Sequence, residues 1–194
     1  MKGGDLEPVT AFILAGGKSL RMGSDKAFTQ LNGCTLLQRA LDAAGQITQN
    51  VTIVGLRAKF SAFGPVVEDV YPNRGPLAAI HAALQSSATD LNLLLAVDLP
   101  YVTSDLLCYL VTEAQATPAL ITLPRTSDGW QPLCAIYKKA FAQIADAALQ
   151  QNQNAIHTLI ESSTPRIIEE QELNRAGFTS KMFHNINTES DLPV

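Results

Sequence analysis

The stretch Leu91-Asn92-Leu93-Leu94-Leu95-Ala96-Val97 limits the fold more than any other part of the chain. It is apolar almost throughout, so neither of its faces suits water. A strand of this kind belongs inside a sheet covered on both sides, as parallel strands are. Shorter apolar runs surround it: Thr10 to Leu14, the β-branched Val51 to Val54, Pro65-Val66-Val67-Glu68, Ala119 to Leu123 and Leu133 to Tyr137. Phe28 to Leu31 before Asn32-Gly33 predicts a short strand and a tight reversal. Helical patterns lie between these runs. Thr35 caps a helix to about Gln46, with Leu36, Leu37, Ala40, Leu41 and Ala44 on one face. Gly75-Pro76 opens a second through about Gln85, with proline in the first turn. Ser104 caps a third, built on Leu106, Leu107, Leu110 and Val111. Lys138 to about Gln150 reads as a fourth, and one more starts at Ala155 after a Gln/Asn-rich link. Strand and helix alternate, which predicts an α/β fold with a parallel or mixed sheet between two helical layers.

At 194 residues and 46% apolar content, the chain has the length and core of one domain. No internal repeat or long Pro/Gly/Ser linker divides it. No apolar run is long enough to span a membrane. The opening Met1-Lys2-Gly3-Gly4-Asp5-Leu6-Glu7-Pro8 lacks an apolar signal core, so a cytoplasmic location is the expectation. Cys34, Cys108 and Cys134 form no C-x-x-C pair and read as small core residues. The net charge of −4, without a basic block, argues against nucleic acid as a partner. His81, His157 and His184 lie far apart, without metal-ligand spacing, and read as surface or packing residues. These features fit an enzyme acting on small molecules.

Where the first strand ends, the sequence reads Leu14-Ala15-Gly16-Gly17-Lys18-Ser19-Leu20-Arg21-Met22-Gly23-Ser24-Asp25-Lys26-Ala27. Three Gly and three Lys/Arg fall within eleven residues. Backbone without side chains brings N–H groups close to phosphate oxygens, and the cations neutralise charge. At the carboxyl end of a strand in an open α/β sheet, such a loop is placed to hold a nucleotide. It is not a P-loop, which needs glycine where Phe12 stands, nor a dinucleotide fingerprint, which needs glycine where Lys18 stands. An ordinary surface loop is the competing reading.

Asp98 follows the central apolar run and precedes Leu99-Pro100. An ionised carboxylate inside that run would be costly, but at its tip it can face a cleft and bind Mg²⁺ through oxygen. A turn or capping role is the alternative. Asp69 ends the third strand as either a ligand contact or a solvated acid. Asn185 and Asn187, two apart, share a side if the segment is extended, and otherwise cap a following helix.

The glycine-rich segment closely resembles the signature L-A-G-G-x-S-x-R-M-G-x-D-K of the molybdenum cofactor guanylyltransferases, a branch of the nucleotidyltransferase superfamily. The resemblance reaches from about Val9 to Leu192 and implies a three-layer Rossmann-like fold with a mainly parallel mixed sheet. It implies one nucleotidyltransferase domain over 1–194, with a nucleotide part at about 9–102 and an acceptor part at about 103–192. It implies GTP and molybdopterin (or molybdenum-molybdopterin) as substrates, Mg²⁺ as cofactor, and molybdoenzyme-maturation proteins as further partners. Arg21, Lys26 and Asp98 match catalytic positions, with Asp98 on the metal. Leu14, Ala15, Gly16, Gly17, Lys26, Asp69, Gly75, Asp98, Asn185 and Asn187 match substrate-binding ones. The second glycine after Ala15 favours the guanylyl branch over the cytidylyl one. The chain departs from the family pattern at three places: Val54 stands for an asparagine, Ala79 for the last glycine of G-P-L-A-G, and Gln151-Asn152-Gln153-Asn154 for an arginine-bearing loop. Gln131-Pro132 resembles a segment on the pterin side, although a proline entering a strand explains it as well. The open alternatives are the same chemistry on another nucleotide or acceptor, and a non-catalytic module that delivers nucleotide or cofactor.

Overall fold

The computed structural model describes residues 7–16 and 26–186. The chain enters on β1 (Val9–Leu14), passes through α1 (Leu36–Gly45) to β4 (Val51–Val54), and reaches β5 (Val66–Val67) by way of α2 (Arg57–Phe60). Then α3 (Pro76–Ser86) carries it back across β1 to β6 (Leu91–Ala96). These four strands lie in the order β5-β4-β1-β6, and every neighbouring pair is parallel.

The second half runs from α4 (Ser104–Gln115) into β7 (Ile121–Thr126) and a hairpin to β8 (Gly129–Trp130). β9 (Cys134–Lys138) then inserts between β6 and β7, antiparallel to both. After α5 (Phe141–Gln150) and α6 (Ile156–Ser162), β10 (Arg166–Glu169) pairs parallel with β7 at the sheet edge, and α7 (Glu170–Arg175) follows. A separate hairpin joins β2 (Gln30–Leu31) to β3 (Cys34–Thr35). Its turn residues Asn32 and Gly33 have φ of 53° and 78°, as the two-residue turn requires.

Right-handed crossovers that step in opposite directions from one strand put their helices on opposite faces. The core divides accordingly. Ala11, Ile13, Leu93 and Leu95 face α1 and α4, while Phe12, Leu14 and Leu94 face α3, α5 and α6. The period of two along β1 and β6 feeds both layers, which explains why these strands are apolar on every side. Among the described residues, no helix is long and apolar enough to cross a membrane.

The sheet is mixed, as expected: β6 pairs parallel with β1 and antiparallel with β9. Several other sequence expectations need correction. Phe28 closes a 3-10 turn (Lys26–Phe28) instead of opening a strand. The cap of α4 is Thr103, whose hydroxyl accepts from Leu106 N, and Ser104 is already helical. Lys138 ends β9, so the following helix starts at Phe141. Cys108 is exposed on α4, Cys34 half-buried, and only Cys134 lies in the core, where burial pushes its thiol up to about 12. Thr35 does cap α1, accepting from Gln38 N at 3.1 Å.

Candidate active site

Register aligns the carboxyl ends of the four parallel strands. Leu14 lies beside Val54 on one side and Ala96 on the other, and Val54 lies beside Val67. The residues just beyond, Gly16, Gly55-Leu56, Asp69 and Asp98, therefore emerge from one edge of the sheet. The winding direction reverses at β1, between β4 and β6, and this is where open α/β sheets form a crevice.

Asp98 sits at the β6 end of that crevice. Val97 N still bonds Leu14 O at 3.1 Å, and Leu99 N turns back to Ala96 O, so the chain reverses at Asp98. Leu99 and Val102 are buried beneath it. Its carboxylate Oδ2 accepts from Lys26 Nζ at 2.8 Å, across 72 residues of sequence. The Lys26 side chain is 10% exposed and that of Asp98 is 26% exposed. Ala27, fully buried, anchors the 3-10 turn that starts at Lys26 and fixes the base of the lysine stem. An ammonium so enclosed needs a carboxylate beside it, and charge-assisted geometry of this length is strong.

The C-terminal segment reaches the same place. Ile186 N donates to the Asp98 carbonyl at 3.0 Å, and the Ile186 side chain is 1% exposed in the core. Asn185, next to it, is exposed. An apolar residue between two asparagines was the available signal for this anchor, since a period of two that puts both asparagines on one side puts the residue between them on the other.

The other candidates are spread along the edge. Leu14 turns its side chain into the core, and Ala15 N donates to Val54 O at 3.0 Å, so the two frame Gly16. A Cβ on Gly16 would meet Val54 O and Gly55 Cα at ordinary distances of 3.7 and 3.8 Å, so its described surroundings do not require glycine. Gly75 caps α3 with φ 72°, a conformation that favours glycine. Asp69 leaves β5, about 14 Å from the line of β6 at three strand spacings. Its side chain is exposed, yet desolvation by neighbouring protein raises its carboxyl above the usual range. It does not join the Lys26–Asp98 pair. Gly17, Lys18, Arg21 and Asn187 lie outside the described residues.

Val54 is 1% exposed and packs with Phe12 and Leu14, so its side chain cannot face the crevice. The residue that does emerge there is Leu56, 57% exposed. Gly55 is also constrained, for a Cβ would lie 2.8 Å from the ring of buried Phe60. We expect Gly55→Ala to cost about 1–3 kcal/mol by overpacking, read as a lower denaturant midpoint.

A family model for the MobA-like NTP transferase domain matches residues 11–167. The chain belongs to the MobA-like NTP transferase family. A probable molybdenum cofactor guanylyltransferase of Clostridium perfringens is 33% identical over 185 residues, covering 92% of this chain and 91% of that protein. The molybdenum cofactor guanylyltransferase of Syntrophotalea carbinolica is 28% identical, covering 94% and 88%. Molybdopterin-guanine dinucleotide biosynthesis protein A from Archaeoglobus fulgidus superposes with a TM-score of 0.82 over 94% of each chain, at 24% identity. The 2-C-methyl-D-erythritol 4-phosphate cytidylyltransferase of Thermus thermophilus superposes at 0.67 over 93% of each chain, at 14% identity. These likenesses establish the mixed-sheet nucleotidyltransferase fold for this MobA-like chain.

Within this MobA-like fold, the described residues contain no cluster of three or more His, Cys, Asp or Glu that could hold a metal. Mg²⁺ does not need one, since it is commonly bound by one or two carboxylates with substrate phosphates and water. A hard carboxylate oxygen at a strand tip, as at Asp98, fits that mode. In the second half of the chain, Gln131 donates within the hairpin to Thr126 Oγ1 at 3.2 Å, and Trp130 stacks on the exposed His157 at 5.7 Å. Ala79 is half-buried on α3, and residues 151–154 are exposed between α5 and α6.

Proposed function

We propose that this chain transfers GMP from GTP to the terminal phosphate of molybdopterin, with or without bound molybdenum. A phosphate oxygen of the acceptor attacks the α-phosphorus of GTP, the α–β bridge breaks, and pyrophosphate leaves. The juxtaposition of Lys26 and Asp98 at 2.8 Å, in the crevice beside β1, carries this reading. Its support outside the structure is the name borne by relatives that match nearly the whole chain.

In this reading, residues 9–102 bind the nucleotide and 103–192 the acceptor, as one catalytic domain in the cytoplasm. Asp98 would hold Mg²⁺, which when bound would neutralise phosphate charge. The Lys26 ammonium, already held at the carboxylate, stabilises the negative charge that develops as the bridge breaks. Arg21 adds a second cation. Gly16 and Gly17 donate backbone N–H groups to phosphate oxygens, and Asp69 and Gly75 contact the nucleoside side. Asn185 and Asn187 position the acceptor. No covalent enzyme intermediate is needed, so the work is alignment and charge neutralisation.

The test is incubation with GTP, Mg²⁺ and molybdopterin, followed by identification of the pterin product and of released pyrophosphate. Because a cytidylyltransferase shares the fold, the nucleotide must be tested separately. We expect GTP to exceed CTP by at least about tenfold in kcat/KM, roughly 1.4 kcal/mol of transition-state discrimination. Equal values would remove the guanylyl assignment and keep the nucleotidyl one. A protein that binds GTP but releases no pyrophosphate would be a delivery module instead.

A further inference from the structure

Residues 68–75 join β5 to α3 and carry Asp69 and Gly75. Glu68, Asp69, Val70, Pro72, Asn73 and Gly75 are exposed, and Asn73 and Gly75 take positive φ of 64° and 72°. A segment with so little packing is held by few bonds, and each of them matters to its conformation. Glu68 fixes its start, accepting from Arg57 N at 2.9 Å. Tyr71 fixes its middle. The Tyr71 hydroxyl donates to Asp146 Oδ1 of α5 at 2.6 Å, across 75 residues. Its ring stands edge-on to the imidazole of His81, with centroids 5.3 Å apart at 62°.

His81 is 4% exposed on α3, and its Nε2 lies 3.4 Å from that same carboxylate oxygen. Its Nδ1 is enclosed without a hydrogen-bond partner among the described residues. One helical turn beyond Asp146, Gln150 Nε2 donates to Oδ2 at 2.8 Å. Asp146 thus gathers the loop, α3 and its own helix onto one carboxylate. The core between α3 and α5 does not depend on this group, since Leu77, Ile80, Leu84, Phe141, Ala145 and Leu149 fill it. The polar cluster has another consequence, which is to set where the loop lies over the crevice edge.

We propose that Tyr71, His81 and Asp146 form a clamp that positions the β5–α3 loop for the nucleoside triphosphate, with Tyr71 as the positioning residue. The inference rests on the reading of that edge as the nucleotide side. Loss of the hydroxyl leaves the aromatic ring on His81 but releases the loop from α5, so Asp69 no longer has a fixed place. Asn185, read as positioning the acceptor, lies beside Ile186 at the Asp98 turn and makes no bond to this cluster, so acceptor binding should be untouched.

The experiment compares Tyr71→Phe, Asp146→Ala and Asp146→Asn in full-length protein, by calorimetric titration with a non-hydrolysable GTP analogue, steady-state kinetics, thermal midpoint and amide hydrogen exchange. Tyr71→Phe and Asp146→Ala should each weaken GTP binding and raise its KM about tenfold, the loss expected for a hydrogen bond to a charged group. In Tyr71→Phe the KM for the pterin, kcat and the thermal midpoint should stay near wild type while exchange in 68–75 accelerates; Asp146→Ala also strips buried His81 Nε2 of its partner and should lower the thermal midpoint as well. Asp146→Asn keeps an acceptor for the tyrosine hydroxyl and should restore most of the affinity. Wild-type GTP affinity and unchanged exchange in Tyr71→Phe would overturn the clamp. So would parallel loss in that variant of GTP affinity, pterin affinity and thermal midpoint, which marks a merely structural contact. If the wild type uses CTP in place of GTP, the same tenfold loss measured with CTP supports the clamp while the donor assignment fails.

Discussion

Asp98→Asn should lower kcat/KM by about a thousandfold or more while the protein stays folded. Asparagine keeps the shape of the side chain and its place at the tip of β6, but removes the charge that faces Lys26 at 2.8 Å. The proposed function puts the activity loss down to two sources: the carboxylate proposed to hold Mg²⁺ is gone, and the Lys26 ammonium loses a group that helps to hold it in position. Stability should fall by only about 1–2 kcal/mol, because the Asp98 side chain is 26% exposed and solvent screens the pair. Steady-state turnover beside a denaturant melt separates the two effects. Activity near wild type at saturating Mg²⁺ would place the metal on another carboxylate, and a collapsed melt would make Asp98 a structural residue first.

Lys26→Ala should lower kcat/KM by about two to three orders of magnitude, through loss of charge stabilisation in the transition state. Lys18→Ala, in the same glycine-rich segment but at a position the family leaves variable, should be much milder. The contrast is informative because exposed lysines rarely affect rate or stability, and Lys26 is only 8% exposed. The double variant Lys26→Ala/Asp98→Asn should be little worse than the more damaged single variant, as residues acting as a unit are strongly non-additive. Equal losses at Lys18 and Lys26, or fully additive losses at Lys26 and Asp98, would reduce the pair to general electrostatics of the loop.

The first half of the fold was legible because its signals are local. The apolar run of β6, the β-branched β4, the Thr35 cap and the Gly75-Pro76 helix start each state their structure within a few residues. The second half was less legible. β10 is a four-residue edge strand paired on one side only, and α7 spans six residues, so neither is long enough for its hydrophobic period to repeat clearly. The antiparallel direction of β9 has no signature in its own residues, since a strand buried on both faces looks the same run either way. Val54, which stands where the family carries an asparagine, is turned into the core by the period of two, and Leu56 comes to the surface instead.

The candidate site divides in the same manner. By itself the sequence determined which residues stand at strand ends: Gly16 after β1, Asp69 after β5 and Asp98 after β6. It also marked the cationic, glycine-rich segment as the place where phosphate chemistry would occur. Only the tertiary structure decided which of these meet. The reversal of winding at β1 sets β6 beside it, and so brings Lys26 to Asp98 across 72 residues while leaving Asp69 three strands away. The same packing of α3 on α5 joins Tyr71, His81 and Asp146, which as separate residues carry no signal. Composition and periodicity act over a few residues, whereas strand order is set by crossovers, and distant side chains become neighbours only once that order exists.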